Sequence, residues 1–146
     1  MENLVRSVIE DLREATSGRD VSIVAENLPA AHGDHLLIRQ VLSNLLSNAV
    51  KFTGKKDHAV VEVKGWNEGG GNIYCIKDNG AGFDKGHTHQ LFQVFRRLHQ
   101  RNEFDGTGIG LSIVQKIVHR HGGRLWAAGG VDKGATFCFT LPKHFE

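Results

Sequence analysis

Between Asp34 and Thr53 the chain is apolar along one broad helical stripe and carries amide side chains along the adjoining edge. Val41, Leu42, Leu45, Leu46, Ala49 and Val50 recur at three- and four-residue spacings, the period of a helix buried along one face. Asn44, Asn48 and Lys51 stand at i, i+4 and i+7, so they stack on one edge of that helix. A buried amide without partners costs roughly 1–3 kcal/mol. The row is therefore either a solvated face or the wall of a polar site.

A length of 146 residues suits a single domain spanning 1–146, able to bury about two-thirds of its unfolded surface. The net charge of +2 with 23% charged residues is too small for a nucleic-acid footprint. No signal peptide leads the chain, and no apolar run approaches the roughly 18 residues that cross a bilayer, so no membrane contact and a cytoplasmic location are expected. Cys75 and Cys138 sit in apolar, β-favouring runs without CxxC spacing and read as inert core thiols in a reducing compartment. The nine histidines scatter without zinc-site spacing, and no metal role is expected of them.

Leu4, Val5, Val8, Ile9 and Leu12 predict an N-terminal helix within 1–18, ending near Gly18; opening at Met1, it looks like the cut end of a longer protein. Val21 to Glu26 alternates as a half-buried strand, and Asp34 is placed to cap the central helix. Ala59 to Trp66 and Asn72 to Lys77 predict a hairpin across Glu68–Gly71. There follows Asp78-Asn79-Gly80-Ala81-Gly82-Phe83, a carboxylate trailed by glycines that let a backbone turn tightly around a flat ligand. Residues 84–107 read as a long mobile connection holding one short amphipathic helix with Leu91, Phe92, Val94, Phe95 and Leu98.

Gly106-Thr107-Gly108-Ile109-Gly110 opens the next helix, whose core stripe is Leu111, Val114, Ile117, Val118 and His121. A glycine-rich helix entry offers free N–H groups and a partial positive charge to phosphate. His119 and His121 lie at its C-terminal end, where the dipole favours them, and Gly122-Gly123 stops it. Strands from Arg124 to Ala128 and Ala135 to Leu141 close the chain. The glycine loop is neither of two familiar phosphate loops. A dinucleotide fingerprint needs glycine where Leu111 stands, and a P-loop needs Lys-Ser/Thr where Leu111-Ser112 follow Gly110.

Taken in order, NLLSNAVKF (44–52), DNGAGF (78–83), LFQVFRRL (91–98) and GTGIGLSIV (106–114) resemble the N, G1, F and G2 boxes of the sensor histidine kinase ATP-binding domain, of the Bergerat-type superfamily shared with gyrase and the mismatch-repair ATPases. The resemblance covers about Asp34 to Pro142, and the lid with the RLH…GTGIGL…VHRHGG run looks closest to phytochrome-like or PAS-linked kinases. It implies an α+β, two-layer sandwich: a mixed, mostly antiparallel sheet of about five strands, covered on one face by three helices, with a mobile ATP lid.

For the site the resemblance implies ATP and Mg²⁺ as ligands. Asp78 would read adenine, since a carboxylate accepts the exocyclic N–H of adenine but faces an acceptor on guanine; an Asx turn ending a strand is the bland alternative. Thr136 would be a second contact near the base, or a plain strand threonine. Asn48 would ligate Mg²⁺, Lys51 would meet phosphate, and Phe52 would wall the pocket. Gly80, Gly82 and Phe83 would line the base. Gly106, Thr107, Gly108, Ile109, Gly110 and Leu111 would hold the phosphate chain. Arg97 would reach the γ-phosphate, or be a solvated lid cation.

Asn44 stands where hydrolysing relatives carry a water-activating glutamate, so transfer to a histidine is expected over hydrolysis. The acceptor histidine belongs to an upstream dimerisation and phosphotransfer domain absent from these residues, with a response regulator as indirect partner and a monomeric isolated domain. Two other readings remain open: an ATP-binding regulatory module of a degenerate kinase, and an anti-sigma-type serine kinase on the same fold.

Overall fold

The computed structural model describes residues 1–14, 16–26, 28–31, 33–54, 56–80, 107–129 and 134–142, except for the side chains of 107–110 and 128–129. Three helices, α1 (Glu2–Asp11), α2 (His35–Phe52) and α3 (Thr107–Arg120), accompany five strands, β1 (Val21–Ala25), β2 (Ala59–Glu68), β3 (Gly71–Asp78), β4 (Leu125–Gly129) and β5 (Ala135–Pro142). The sheet order is β1-β2-β3-β5-β4. β1 runs parallel to β2 through the crossover helix α2, and every other pair is antiparallel. This is the mixed two-layer architecture expected from the motifs.

The apolar stripes decide the layering. Val5 and Val8 of α1, the α2 stripe from Val41 to Ala49, and Leu111, Val114 and Val118 of α3 join Val61, Val63, Tyr74, Ile76, Phe137 and Phe139 in one core. The Tyr74 and Phe139 rings lie 5.4 Å apart between centroids, and the Tyr74 hydroxyl donates to the Pro29 carbonyl at 2.5 Å. Burial pushes that phenol up to about 12, against a smaller opposing effect of its hydrogen bond with Asn72.

Local chemistry sets each boundary. Asp34 Oδ1 accepts the Leu36 and Leu37 N–H groups at 2.9 and 3.1 Å, as its position before the stripe predicts. The β2–β3 turn is tighter than expected: both strands run on to Glu68 and Gly71, leaving Gly69 and Gly70 as a two-residue loop with Gly69 at φ +61°. α3 ends in a Schellman arrangement, with Gly122 at φ +77°, its N–H on the His119 carbonyl at 2.9 Å and that of Gly123 on Val118 at 2.9 Å.

One expectation is met and one changes. His121 lies in the core, as its place in the α3 stripe predicts; it is 1% exposed, its Nε2 accepts the Asp34 N–H at 3.1 Å, and its Nδ1 meets the Ile117 carbonyl at 2.8 Å. It ties the end of α3 to the cap of α2. Cys75 and Cys138 are not free thiols. They are register partners across β3 and β5 and form a disulfide on the face turned away from the helices, where they cluster with Ile73. Spacing along the chain carries no information on that register. Of the lid expected over 84–107, residues 84–106 with the short helix lie outside the described residues, and Thr107 opens α3.

A Cβ on Gly123 would sit 1.9 Å from the Thr140 carbonyl oxygen, whereas one on Gly70 would meet nothing within 4 Å. Gly123→Ala is expected to lower unfolding free energy by about 2–3 kcal/mol, as overpacking does, and Gly70→Ala to change it by less than about 0.5 kcal/mol. Urea unfolding of the two variants reads the difference; equal effects would contradict the fold at β5.

Candidate functional site

The site is built where the C-terminal end of α2 meets the end of β3. Fully buried Val41, Leu42, Leu45 and Leu46 fix the rotation of α2, and the amide edge follows from that. Asn48 is 5% exposed, and the Nδ2 atoms of both Asn44 and Asn48 are buried with no hydrogen-bond partner among the described residues. Lys51 is exposed in the last turn and Phe52 is half-buried.

The opposite wall is Asp78, 2% exposed. The Gly80 N–H donates to its Oδ1 at 2.8 Å, the Asx turn foreseen as an alternative, and the Ala135 N–H also donates to the carboxylate. A carboxylate can accept about four hydrogen bonds, so capacity remains for a ligand donor. Burial raises its pKa above the ordinary 3.8, opposed by the Gly80 and Ala135 N–H groups. Protonation is thus easier in the folded chain than in the unfolded one. The cost of burying the charge is full above the raised folded-state pKa and vanishes below the unfolded value.

Close approach explains the glycines. A Cβ on Gly80 would lie 2.3 Å from the Phe52 carbonyl oxygen, and one on Gly134, at φ +81°, 2.0 Å from that of Asp78. Gly80 therefore lets the Asp78 turn touch the end of α2, and Gly134 lets β5 start beneath Asp78. The Asn79 side chain fastens the same turn to β2: its Oδ1 accepts the Val60 N–H and its Nδ2 donates to the His58 carbonyl, both at 2.9 Å.

Not every expected residue converges. Ala135 pairs with Asp78, while Thr136 pairs with Lys77. Register partners share a face and neighbours alternate, so Thr136 lies on the face opposite Asp78, and Ala135 stands where the second base contact was expected. Leu111 is wholly buried in the core, which leaves its backbone rather than its side chain for a ligand. Thr107, Gly108, Ile109 and Gly110 form the first turn of α3, where N–H groups lack intrahelical acceptors. Gly82, Phe83, Phe92, Phe95, Arg97 and Gly106 lie outside the described residues.

The sequence reading passed over Gly134, Asn79, Thr53 and Arg19. Gly134 follows a charged dipeptide in a glycine-rich stretch, and only its close packing distinguishes it. A cavity of about 300 Å³ bordered by Leu4, Ala31, Gly33 and Ile38 lies at the other end of α2 and holds none of the motif residues.

Comparison with known proteins agrees with this fold. The family described as "Histidine kinase-, DNA gyrase B-, and HSP90-like ATPase" matches residues 33–144. Phytochrome-like protein Cph1 of Synechocystis sp. is 31% identical over 142 residues, covering 97% of this chain and 19% of Cph1. Adaptive-response sensory kinase SasA of Synechococcus elongatus is 32% identical over 145 residues, covering 97% of this chain and 37% of SasA. The chain thus spans about a fifth to just over a third of the length of these relatives. Among solved structures, the mycobacterial sensor histidine kinase MprB superposes with a TM-score of 0.82 at 25% identity, covering 100% of this chain and 96% of that one. Full-length ShkA in complex with AMPPNP gives 0.78 at 29% identity, covering 99% of this chain and 30% of that one. The chain belongs to the histidine kinase-, DNA gyrase B- and HSP90-like ATPase family, as an ATP-binding catalytic domain of the histidine kinase type.

Proposed function

We propose that the chain binds Mg-ATP and transfers the γ-phosphoryl group to a histidine on a separate dimerisation domain, from which a response regulator receives it. The observation that carries the reading is the pair of buried, unpartnered amides on α2, Asn44 and Asn48. Native proteins leave few buried donors unsatisfied, each costing roughly 1–3 kcal/mol. Two on one helix edge, beside a desolvated carboxylate in a family of nucleotide-binding domains, belong to a ligand site.

Asn48 fits Mg²⁺ and its surroundings: the carboxamide oxygen is a hard donor, and the unspent Nδ2 can donate to a phosphate oxygen or a metal-bound water. Mg²⁺ bound there would offset phosphate charge. Lys51 would meet phosphate as a mobile point charge, and Phe52 would wall the pocket. Asp78 would accept the exocyclic N–H of adenine through its remaining lone pairs. The free N–H groups of Thr107 to Gly110 would cradle the phosphate chain from the positive end of α3. Gly82, Phe83 and Gly106 would border the base and phosphates, and Arg97 would reach the γ-phosphate, as the motif resemblance implies. A cytoplasmic location accords with ATP as ligand; no described helix is long and apolar enough to cross a membrane.

Asn44 sets the reaction. Its amide cannot take a proton from water, whereas an acceptor imidazole attacks with its own ring lone pair and needs positioning more than a base. Asn44→Glu is expected to raise ATP hydrolysis by about 100-fold, the low end of what a placed general base supplies. Unchanged phosphate release in a coupled assay would refute that role. Supplying the upstream helical hairpin in trans with labelled ATP should give acid-labile, alkali-stable phosphohistidine on the hairpin and none on the chain alone; phosphoserine, or no label, would refute histidine transfer.

Asp78→Asn keeps the shape of the side chain and removes its charge. ATP affinity should fall about 10- to 100-fold, the loss of a charge-assisted hydrogen bond. Because the pKa of Asp78 is raised, ATP binding by the parent chain should begin to weaken on acidification at a pH above the ordinary carboxylate range. Calorimetric titration of parent and variant across pH reads both; an Asp78→Asn affinity equal to that of the parent would exclude the Asp78 carboxylate from the base site.

A further inference from the structure

α2 must stop at a defined place for Asn48, Lys51 and Phe52 to face Asp78, yet its last carbonyls have no intrahelical partners. The residue that takes them comes from the turn after α1. Arg19, half-buried, donates through Nη1 to the Val50 carbonyl at 3.1 Å and through Nη2 to the Thr53 carbonyl at 2.8 Å. Its guanidinium spans the helix terminus and sets a positive charge at the negative end of the dipole. Thr53, wholly buried, completes the clasp by donating its hydroxyl to the Ala49 and Val50 carbonyls at 3.0 and 2.9 Å.

The placement matters because the Phe52 carbonyl, which lies between the two that Arg19 holds, is the surface against which Gly80 packs. The end of α2 is thus gripped on one side by Arg19 and pressed on the other by the Asp78–Gly80 turn. Asn48 lies one turn before Phe52, and Lys51 immediately before it. Asp78 takes its own hydrogen bonds from Gly80 and Ala135 and none from Arg19.

We propose that Arg19 is a positioning residue for the metal and phosphate end of the nucleotide site, holding Asn48 and Lys51 in register with Asp78 without itself touching nucleotide. The inference rests on the nucleotide-binding reading above. It separates two halves of the ligand: the base side, fixed by β3 and β5, and the phosphate side, fixed by the clasped end of α2.

The test compares Mg-ATP with adenosine, followed by heteronuclear NMR titration of the parent chain, Arg19→Ala and Arg19→Lys, with thermal melts to confirm folding. Arg19→Ala is expected to weaken Mg-ATP about tenfold, equivalent to about 1.4 kcal/mol, and to leave adenosine within about twofold. Arg19→Lys keeps the charge but cannot bridge two carbonyls, and should fall between parent and Ala. If Arg19→Ala fails to fold, Arg19→Lys decides by the same contrast, with Mg-ATP weakened and adenosine unchanged. Parent-like Mg-ATP binding by the folded variants, or equal losses for Mg-ATP and adenosine, would overturn the positioning role. Failure of the parent chain to bind Mg-ATP would instead overturn the nucleotide-binding reading, and this inference with it.

Discussion

The rotation of α2 about its own axis is the constraint on which the site depends. Val41, Leu42, Leu45 and Leu46 are all at most 1% exposed, each burial worth about 1.5–3 kcal/mol. A helix residue turns through about 100°, so no small rotation preserves that stripe. The unsatisfied amides of Asn44 and Asn48 cost roughly 1–3 kcal/mol each, too little to turn the helix away. Core packing therefore holds these polar groups unpaired, and in the proposed reading the domain bears part of the cost of its site before any ligand arrives.

The same arrangement recurs at the other wall. Asp78 ends a strand whose neighbours bury it, and two backbone N–H groups keep the carboxylate tolerable without using all its lone pairs. Glycine at 80 and at 134 allows backbone contacts that any side chain would block, one to the end of α2 and one beneath Asp78 itself. His121 makes a comparable tie at the far end, joining the termination of α3 to the cap of α2. Both ends of the central helix are thus fixed by residues distant in sequence, and the Asn44 and Asn48 Nδ2 atoms between them are left without hydrogen-bond partners among the described residues.

How much of this was legible depended on whether the information was local. Periodicity located α1, α2, α3 and the β2–β3 hairpin, and the Asp34 cap followed from its place before an apolar stripe. Ordered short motifs pointed to the family, which the matching family and relatives bear out, because the chemistry of a nucleotide site constrains residue type at each box; Asn44, Asn48, Lys51 and Asp78 are the site residues proposed from them. What depends on strand register was not legible. Thr136 was chosen beside Asp78 when Ala135 occupies that place, and Cys75 and Cys138 read as separate thiols although they face each other across β3 and β5. Arg19 was invisible for a related reason: its partners lie 31 and 34 residues on, and one arginine in a polar turn carries no pattern of its own. The His121 contact with Asp34 spans 87 residues.

The central claim is that Asp78 and the amide edge of α2 form one nucleotide site, with the base at one end and metal-bound phosphates at the other. Calorimetric titration of the chain with ATP, ADP and GTP, each with and without Mg²⁺, tests it most directly. The account predicts saturable binding of ATP and ADP, stronger with Mg²⁺, and GTP binding at least about tenfold weaker because the guanine oxygen faces a carboxylate. Equal affinity for ATP and GTP, or ATP binding indifferent to Mg²⁺, would contradict it.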